Sequence, residues 1–235
     1  MSVFPRVKRL GGLTLDLLFP KTCLGCGKVG ELLCAKCLRS LPRLYPPICP
    51  KCGRPQASGA LCASCVSWDA NIDGIRAPLR FGGLTREAVH QLKYRNLRIL
   101  ALTLATLMRD YLEKNPLPAD VLIPVPLHAK RLRERGYNQS ELLAAELGKL
   151  MSLPVMTDRL VRQKYALPQA RTKSVEERRT NLTDAFACED NVVKDRRVLL
   201  IDDVSTSAST LDACAAALKA GGAASVWGFV LAREV

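Results

Sequence analysis

The 235-residue chain has little aromatic character and almost no histidine: Phe, Trp and Tyr make up 5% of it, and only two histidines occur. Recognition by base stacking therefore has few residues to draw on, with Tyr45, Trp68, Tyr94 and Tyr137 the candidates. No apolar run approaches the roughly 20 residues of a membrane-spanning helix, so no membrane span is expected. No acidic cluster comparable to Asp202-Asp203 occurs elsewhere, which disfavours a two-metal carboxylate site. No secretory leader is expected either. Arg6, Lys8 and Arg9 precede an apolar stretch from Leu10 to Phe19, but Asp16 interrupts it and no small-x-small cleavage site follows before Cys23. Residues 1–20 read instead as an amphipathic segment whose Leu15, Leu18 and Phe19 pack on the folded part, and a cytoplasmic protein is expected.

What the chain has in excess is positive charge. The formal net charge is +13 with a pI near 9.5, which favours polyanionic partners such as nucleic acid or phosphorylated metabolites. A basic surface kept for solubility is the plain alternative. The cations thicken in Lys130-Arg131-Leu-Arg133-Glu-Arg135 and again between Arg162 and Arg179.

Texture divides the chain. Residues 21–70 hold eight of the ten cysteines, many Gly and Pro, and no long hydrophobic periodicity, so this part needs a staple to fold. From 71 to 235, apolar runs alternate with amphipathic stretches, the pattern of an α/β domain with a mostly parallel sheet. Buried strands are expected at Val121–Val125, Arg197–Ile201 and near Ser225–Leu231. Helices are expected at Leu84–Tyr94, Leu97–Glu113, Gln139–Met151 and Ser209–Ala220, the last ended by Gly221-Gly222.

The cysteines fall into four C-x-x-C pairs: Cys23/Cys26, Cys34/Cys37, Cys49/Cys52 and Cys62/Cys65. Each pair lets two thiolates converge on one ion from a tight turn, and two pairs complete the tetrahedral shell that zinc prefers. Gly25, Gly27 and Gly53 stand where backbone amides must turn toward sulfur. Four thiolates leave no open position for a catalytic water, so two structural zinc ions are expected. Disulfides would need an oxidising compartment, which nothing here indicates, and evenly spaced duplicated pairs fit zinc ribbons better than an iron–sulfur cluster. Pairing in chain order is simplest; crossed pairing stays open. Cys188 and Cys214 read as buried small apolar residues.

Val198-Leu-Leu-Ile-Asp-Asp-Val-Ser-Thr-Ser-Ala-Ser-Thr210 is a buried strand, an acidic pair, a hydroxyl-rich loop and a helix start. A loop entering a helix N-terminus offers convergent backbone N–H groups and a favourable dipole for phosphate. The adjacent carboxylates can accept hydrogen bonds from vicinal sugar hydroxyls, directly or through a hydrated Mg²⁺. An acidic strand end followed by an N-capped helix is the purely structural reading.

This stretch resembles the phosphoribosyl pyrophosphate (PRPP) motif of type I phosphoribosyltransferases. Nearly the whole chain is similar to the ComF family, which joins a double zinc ribbon to such a domain. The likeness is carried by Leu17-Leu-Phe-Pro20, Leu92-Lys-Tyr94, Ile123-Pro-Val-Pro-Leu-His128, Arg135-Gly-Tyr-Asn-Gln139, and Glu177-Arg-Arg-Thr-Asn181 with Phe186. The resemblance implies that Asp202 and Asp203 hold ribose hydroxyls, and that Ser205, Thr206, Ser207, Ala208, Ser209 and Thr210 cradle the 5-phosphate with Mg²⁺ accompanying PRPP. It implies a pyrophosphate loop at Pro124, Val125, Pro126, Leu127 and His128, with Arg131 and Arg135 nearby. It also implies a hood containing Arg162, Lys164, Gln169, Arg171 and Arg178, polar and cationic enough to order over a polyanion.

One position departs from that pattern: Ala208 stands where the loop usually has glycine. A β-carbon is tolerated there at negative φ or weakens phosphate binding, and the small, hydroxylated surroundings favour tolerance. Phosphoribosyl transfer is stabilised by cations, metal and dipoles, so two histidines are no obstacle to it. His128, Arg131 and Arg135 are the catalytic candidates, His90 reads as structural, and no motif identifies an acceptor. The other role the resemblance implies is handling of incoming single-stranded DNA in natural transformation, with DNA-uptake or recombination proteins as partners.

Overall fold

The computed structural model describes residues 21–94, 98–163, 185–188 and 191–235. The N-terminal segment 1–20 and the hood residues Lys164, Gln169, Arg171 and Arg178 lie outside the described residues, as does Glu177–Asn181. The chain forms two compact units, residues 1–41 and 42–235, so the units divide after Leu41 although the texture changes near residue 70.

The described part of the first unit is a small knuckle. Thr22 and Val29 form an antiparallel bridge, and the turn between them closes with the Gly27 N–H on the Cys23 carbonyl at 2.8 Å. Helix α1 (Ala35–Arg39) follows with Cys34 as its N-cap.

The second unit opens with the same device: an Ile48–Pro55 bridge, a turn closed by Gly53 N–H on the Cys49 carbonyl at 3.0 Å, and helix α2 (Ala63–Val66) capped by Cys62. Then come β1 (Gly74–Arg76), β2 (Leu79–Arg80), α3 (Gly83–Tyr94), α4 (Leu100–Lys114), β3 (Val121–Pro124), α5 (Ala129–Arg135) and α6 (Gln139–Met151). The chain continues through β4 (Leu160–Arg162), β5 (Phe186–Cys188), β6 (Arg197–Ser205), α7 (Ser209–Ala220) and β7 (Ser225–Arg233). The main sheet runs β1-β7-β6-β3, with β2 also along β7, and every pairing in it is parallel. β4 and β5 form a separate antiparallel pair.

The sheet is parallel because its strands are apolar on both faces, and both faces are covered. Val198, Leu199, Leu200 and Ile201 are all buried, and alternate residues serve opposite sides. Val198, Leu200, Val226 and Val230 join Leu211, Cys214 and Leu218 of α7, and Cys49, Cys52 and Trp68 belong to the same core. On the other side α6 and α4 pack: Tyr111 of α4 stacks on Phe229 at 5.7 Å, and Leu122 approaches Gly148 of α6. The helical segment that follows β3 and the helix that follows β6 thus take opposite faces of two neighbouring strands. A crevice opens between the strands' C-terminal ends at such a point, where α/β sheets bind ligands.

Candidate functional site

The eight cysteines gather into two groups, Cys23/Cys26/Cys34/Cys37 and Cys49/Cys52/Cys62/Cys65, with the sulfurs of each within 4.8 Å of one another. The pairing follows chain order. In each group a backbone N–H points at sulfur: Cys34 donates to Cys23 Sγ, and Cys62 to Cys49 Sγ, both at 3.4 Å. The Cys34 N–H is the largest cause that brings the Cys23 thiol down to about 6. Burial works against ionisation of Cys49, but the N–H groups of Cys52, Cys62 and Lys51 outweigh it and leave that thiol at about 6. Cys37 moves the other way, pushed up to about 12, chiefly by its contact with Cys23. Four thiols in such a space cannot all ionise without a cation, and the all-sulfur donor set fits zinc, which prefers four ligands, in both groups. With no ligand position left over, these are structural sites.

The second group is part of the core, with Cys49 0% exposed. Gly53 has φ +71°, and a β-carbon on it would come 2.5 Å from the Ile75 carbonyl, so the turn is seated closely on β1. Lys51 O accepts from Ile75 N at 2.8 Å.

The acidic pair lies near the end of β6. Asp202 Oδ1 accepts from Ser140 Oγ at 2.7 Å and from the Asp203 N–H at 2.9 Å. Asp203 Oδ1 accepts from Gln139 Nε2 at 3.2 Å, and its other oxygen forms an ion pair with Lys93. Burial pushes the Asp202 carboxyl up to about 7, helped by the neighbouring Asp203 charge and opposed by Ser140 and Lys93. Among the described residues only the cysteine groups cluster as metal ligands. Asp202 and Asp203 present carboxylate oxygens that accept hydrogen bonds from hydroxyl, amide and backbone donors.

The loop after β6 enters α7 through Ala208, which is 4% exposed and has φ +67°. Tolerance at negative φ does not apply: the alanine occupies the left-handed conformation that glycine adopts freely. Ser207 Oγ lies 3.0 Å from Ser209 Oγ. Ser205 and Thr206 are held from behind by Arg233, whose Nη1 donates to Ser205 Oγ at 2.8 Å and to the Thr206 carbonyl at 2.5 Å. Burial lowers the Arg233 guanidinium from its ordinary value, and the thiolates of Cys52 and Cys65 oppose that.

Residues Pro124 to His128 begin beside this loop. Pro124 pairs with Ile201, and Val125 N donates to the Ile201 carbonyl at 2.9 Å. His128 is spent on structure: its Nδ1 accepts from the Lys130 N–H at 3.1 Å and caps α5. Arg131 lies exposed on α5, while Arg135 hydrogen-bonds Gln139 and stacks 5.0 Å from the Tyr94 ring centroid. Arg162 ends β4, with its guanidinium 5.4 Å from the Phe186 ring centroid.

The run Arg135-Gly-Tyr-Asn-Gln139 now has a physical account. Gly136 ends α5 at φ +77°, a left-handed cap. Tyr137 is buried and donates to the Leu92 carbonyl. Asn138 caps α6 by accepting from Ser140 N at 3.0 Å and donates to the Val125 carbonyl at 3.0 Å. Gln139 then reaches Asp203. Lys93, Gln139, Ser140 and Arg233 are site residues that sequence reasoning did not assign. The resemblance flagged the segments around Lys93 and Gln139, but nothing flagged Arg233.

The fold is an α/β domain with a parallel sheet that follows two four-cysteine groups in the chain. Residues 14–66 match the family model for a double zinc ribbon domain. The chain is 31% identical to Competence protein ComFC of Bacillus subtilis, over 88% of this chain and 86% of that protein. It is 31% identical to Competence protein F of Haemophilus influenzae over 86% and 90% of the two chains. The chain belongs to the ComF family. DNA utilization protein YhgH of Escherichia coli K12 is a further relative, at 29% identity over 86% of this chain and 91% of that one. Among solved structures, glutamine PRPP amidotransferase from B. subtilis complexed with ADP and GMP overlays with TM-score 0.37 and 20% identity, covering 60% of this chain and 26% of that one. So loose an overlay adds nothing to what the sheet order and the acidic loop already say. No helix among the described residues is long and apolar enough to cross a membrane.

Proposed function

We propose that the chain binds PRPP, or a closely related phosphosugar, with Mg²⁺ in the crevice between β3 and β6, and works in the cytoplasm on single-stranded DNA. One observation carries the phosphosugar reading. Asp202 and Asp203 are oriented by Ser140, Gln139 and Lys93 at a strand end that runs directly into a hydroxyl-lined helix entry. Ribose hydroxyls meet the carboxylates and the 5-phosphate meets residues 205–210. The pyrophosphate faces residues 124–128, and Lys93, paired with Asp203 in the ligand-free chain, supplies a cation beside the carboxylates. Calorimetric titration with PRPP and Mg²⁺ tests the site: heat is expected from the wild type and none from D202N/D203N.

Support for the DNA role comes from the +13 charge and from relatives named for competence and DNA utilization. Affinity for a single-stranded oligonucleotide should fall steeply between about 50 and 200 mM salt. A flat salt response would remove this part of the reading.

A second reading is an active phosphoribosyltransferase acting on a small nitrogen acceptor, with both ribbons purely structural. It is favoured by the burial of the second cysteine group in the α/β core, a placement that suits a structural role. Pyrophosphate release in the presence of a panel of amines and bases separates turnover from binding alone.

A further inference from the structure

One buried side chain touches both the second cysteine site and the loop assigned to the phosphate. Arg233 ends β7 and is 2% exposed. Its Nε donates to the Cys52 carbonyl at 3.0 Å, and its Nη1 donates to Ser205 Oγ at 2.8 Å and the Thr206 carbonyl at 2.5 Å. No carboxylate pairs with it among the described residues. A guanidinium buried without compensating negative charge is strongly unfavourable, so its counter-charge must be close by. The cysteine group supplies one: four thiolates around a divalent ion leave a net charge of about −2. Other cations lie against the same group, with Arg76 Nη1 on the Pro50 carbonyl at 2.9 Å and Lys51 Nζ on the Trp68 carbonyl at 2.5 Å.

The geometry favours transmission over mere neutralisation. The Cys52 carbonyl belongs to the turn that the metal would organise, and that turn is hydrogen-bonded to β1 through Lys51 and Ile75. The guanidinium is a rigid planar fork that spans the gap between two backbone segments, which a lysine ammonium cannot do with one point charge.

We propose that Arg233 is a positioning residue that couples the second cysteine site to the phosphate loop, so that metal held by Cys49, Cys52, Cys62 and Cys65 fixes the shape of Ser205 and Thr206. Its functional meaning rests on the phosphosugar reading of that loop, but the coupling itself is a property of the ligand-free chain. Only the second site takes part, which gives two cysteine groups of like sequence different roles.

Amide hydrogen exchange on the zinc-loaded full chain tests it, with R233K, C65S and the double variant. R233K and C65S should each speed exchange across residues 204–208 by about tenfold, the scale of one charge-assisted hydrogen bond, while residues 198–201 keep wild-type protection. The double variant should be no faster than either single one, because both break the same path. Wild-type loop rates in R233K, or additive effects in the double variant, would overturn the proposal. If C65S also frees residues 198–201, the cobalt-substituted wild type decides. PRPP with Mg²⁺ should shift its sulfur-to-cobalt absorption saturably, and should not do so in R233K. A merely structural arginine would leave that difference spectrum the same in both proteins. PRPP that fails to bind, with the exchange pattern as expected, would sink the phosphosugar reading and leave the coupling standing.

Discussion

Asp202 is held in a place that disfavours its charged form. Its carboxyl is pushed up to about 7, first by burial and then by the charge of Asp203. A carboxyl raised in the folded state contributes stability below its unfolded value of 3.8, and that contribution is lost as pH rises through about 7. The ligand-free chain should therefore lose stability over this window on account of Asp202, and D202N should remove the loss. Urea unfolding at about pH 5 and about pH 8 checks it. The variant should gain on the wild type at the higher pH, and an equal difference at both values would mean that Asp202 titrates as an ordinary carboxylate. Ala208 is the other residue under tension. Its φ of +67° costs an alanine what glycine does not pay. Ala208→Gly should be neutral to stabilising by up to about 1 kcal/mol, whereas the β-branched Ala208→Val should cost about 1–3 kcal/mol. Denaturant midpoints at constant m-value measure both.

Among the elements, α6 does most to shape the crevice. Its first two residues, Gln139 and Ser140, reach Asp203 and Asp202, and its cap Asn138 holds the Val125 carbonyl at the start of the neighbouring loop. Asn138→Ala removes the cap and the loop tether together and should cost about 1–2 kcal/mol, measured by thermal or urea unfolding. A cost near zero would show that the helix entry is fixed by packing alone. The helix itself was legible in the sequence from Gln139 to Met151 because its apolar face is regular, and α7 likewise; β6 was legible as an apolar run only to Ile201, whereas the strand continues through Asp202 and Asp203 to Ser205. Helix α5 was not. It buries no residue, so it leaves no periodicity, and its seven residues read only as a basic run. β1 and β2 are three and two residues long and exist through pairing with β7, a partner some 150 positions away that no local pattern announces. Lys93, Gln139 and Arg233 escaped for a related reason: each meets its site partner only after the sheet has been assembled.

At the scale of the whole molecule, the cysteine spacing was fully readable because ligand pairs are local, while the unequal placing of the two groups was not. The first group belongs to the 1–41 unit, and the second is built into the core of the 42–235 unit. Since metal binding to such a site is folding free energy, elemental analysis should find two zinc ions per chain, and C37S and C65S should each lose one. Calorimetry should then show the 42–235 unit melting earlier in C65S and unchanged in C37S. The same midpoint in both variants would mean that the second site does not support the core. The proposed phosphosugar sits where β6 turns into α7. Amide chemical shifts followed while PRPP and Mg²⁺ are added test it most directly. The largest saturable shifts are expected at residues 202–210, and binding that leaves those amides unmoved while shifting others would contradict it.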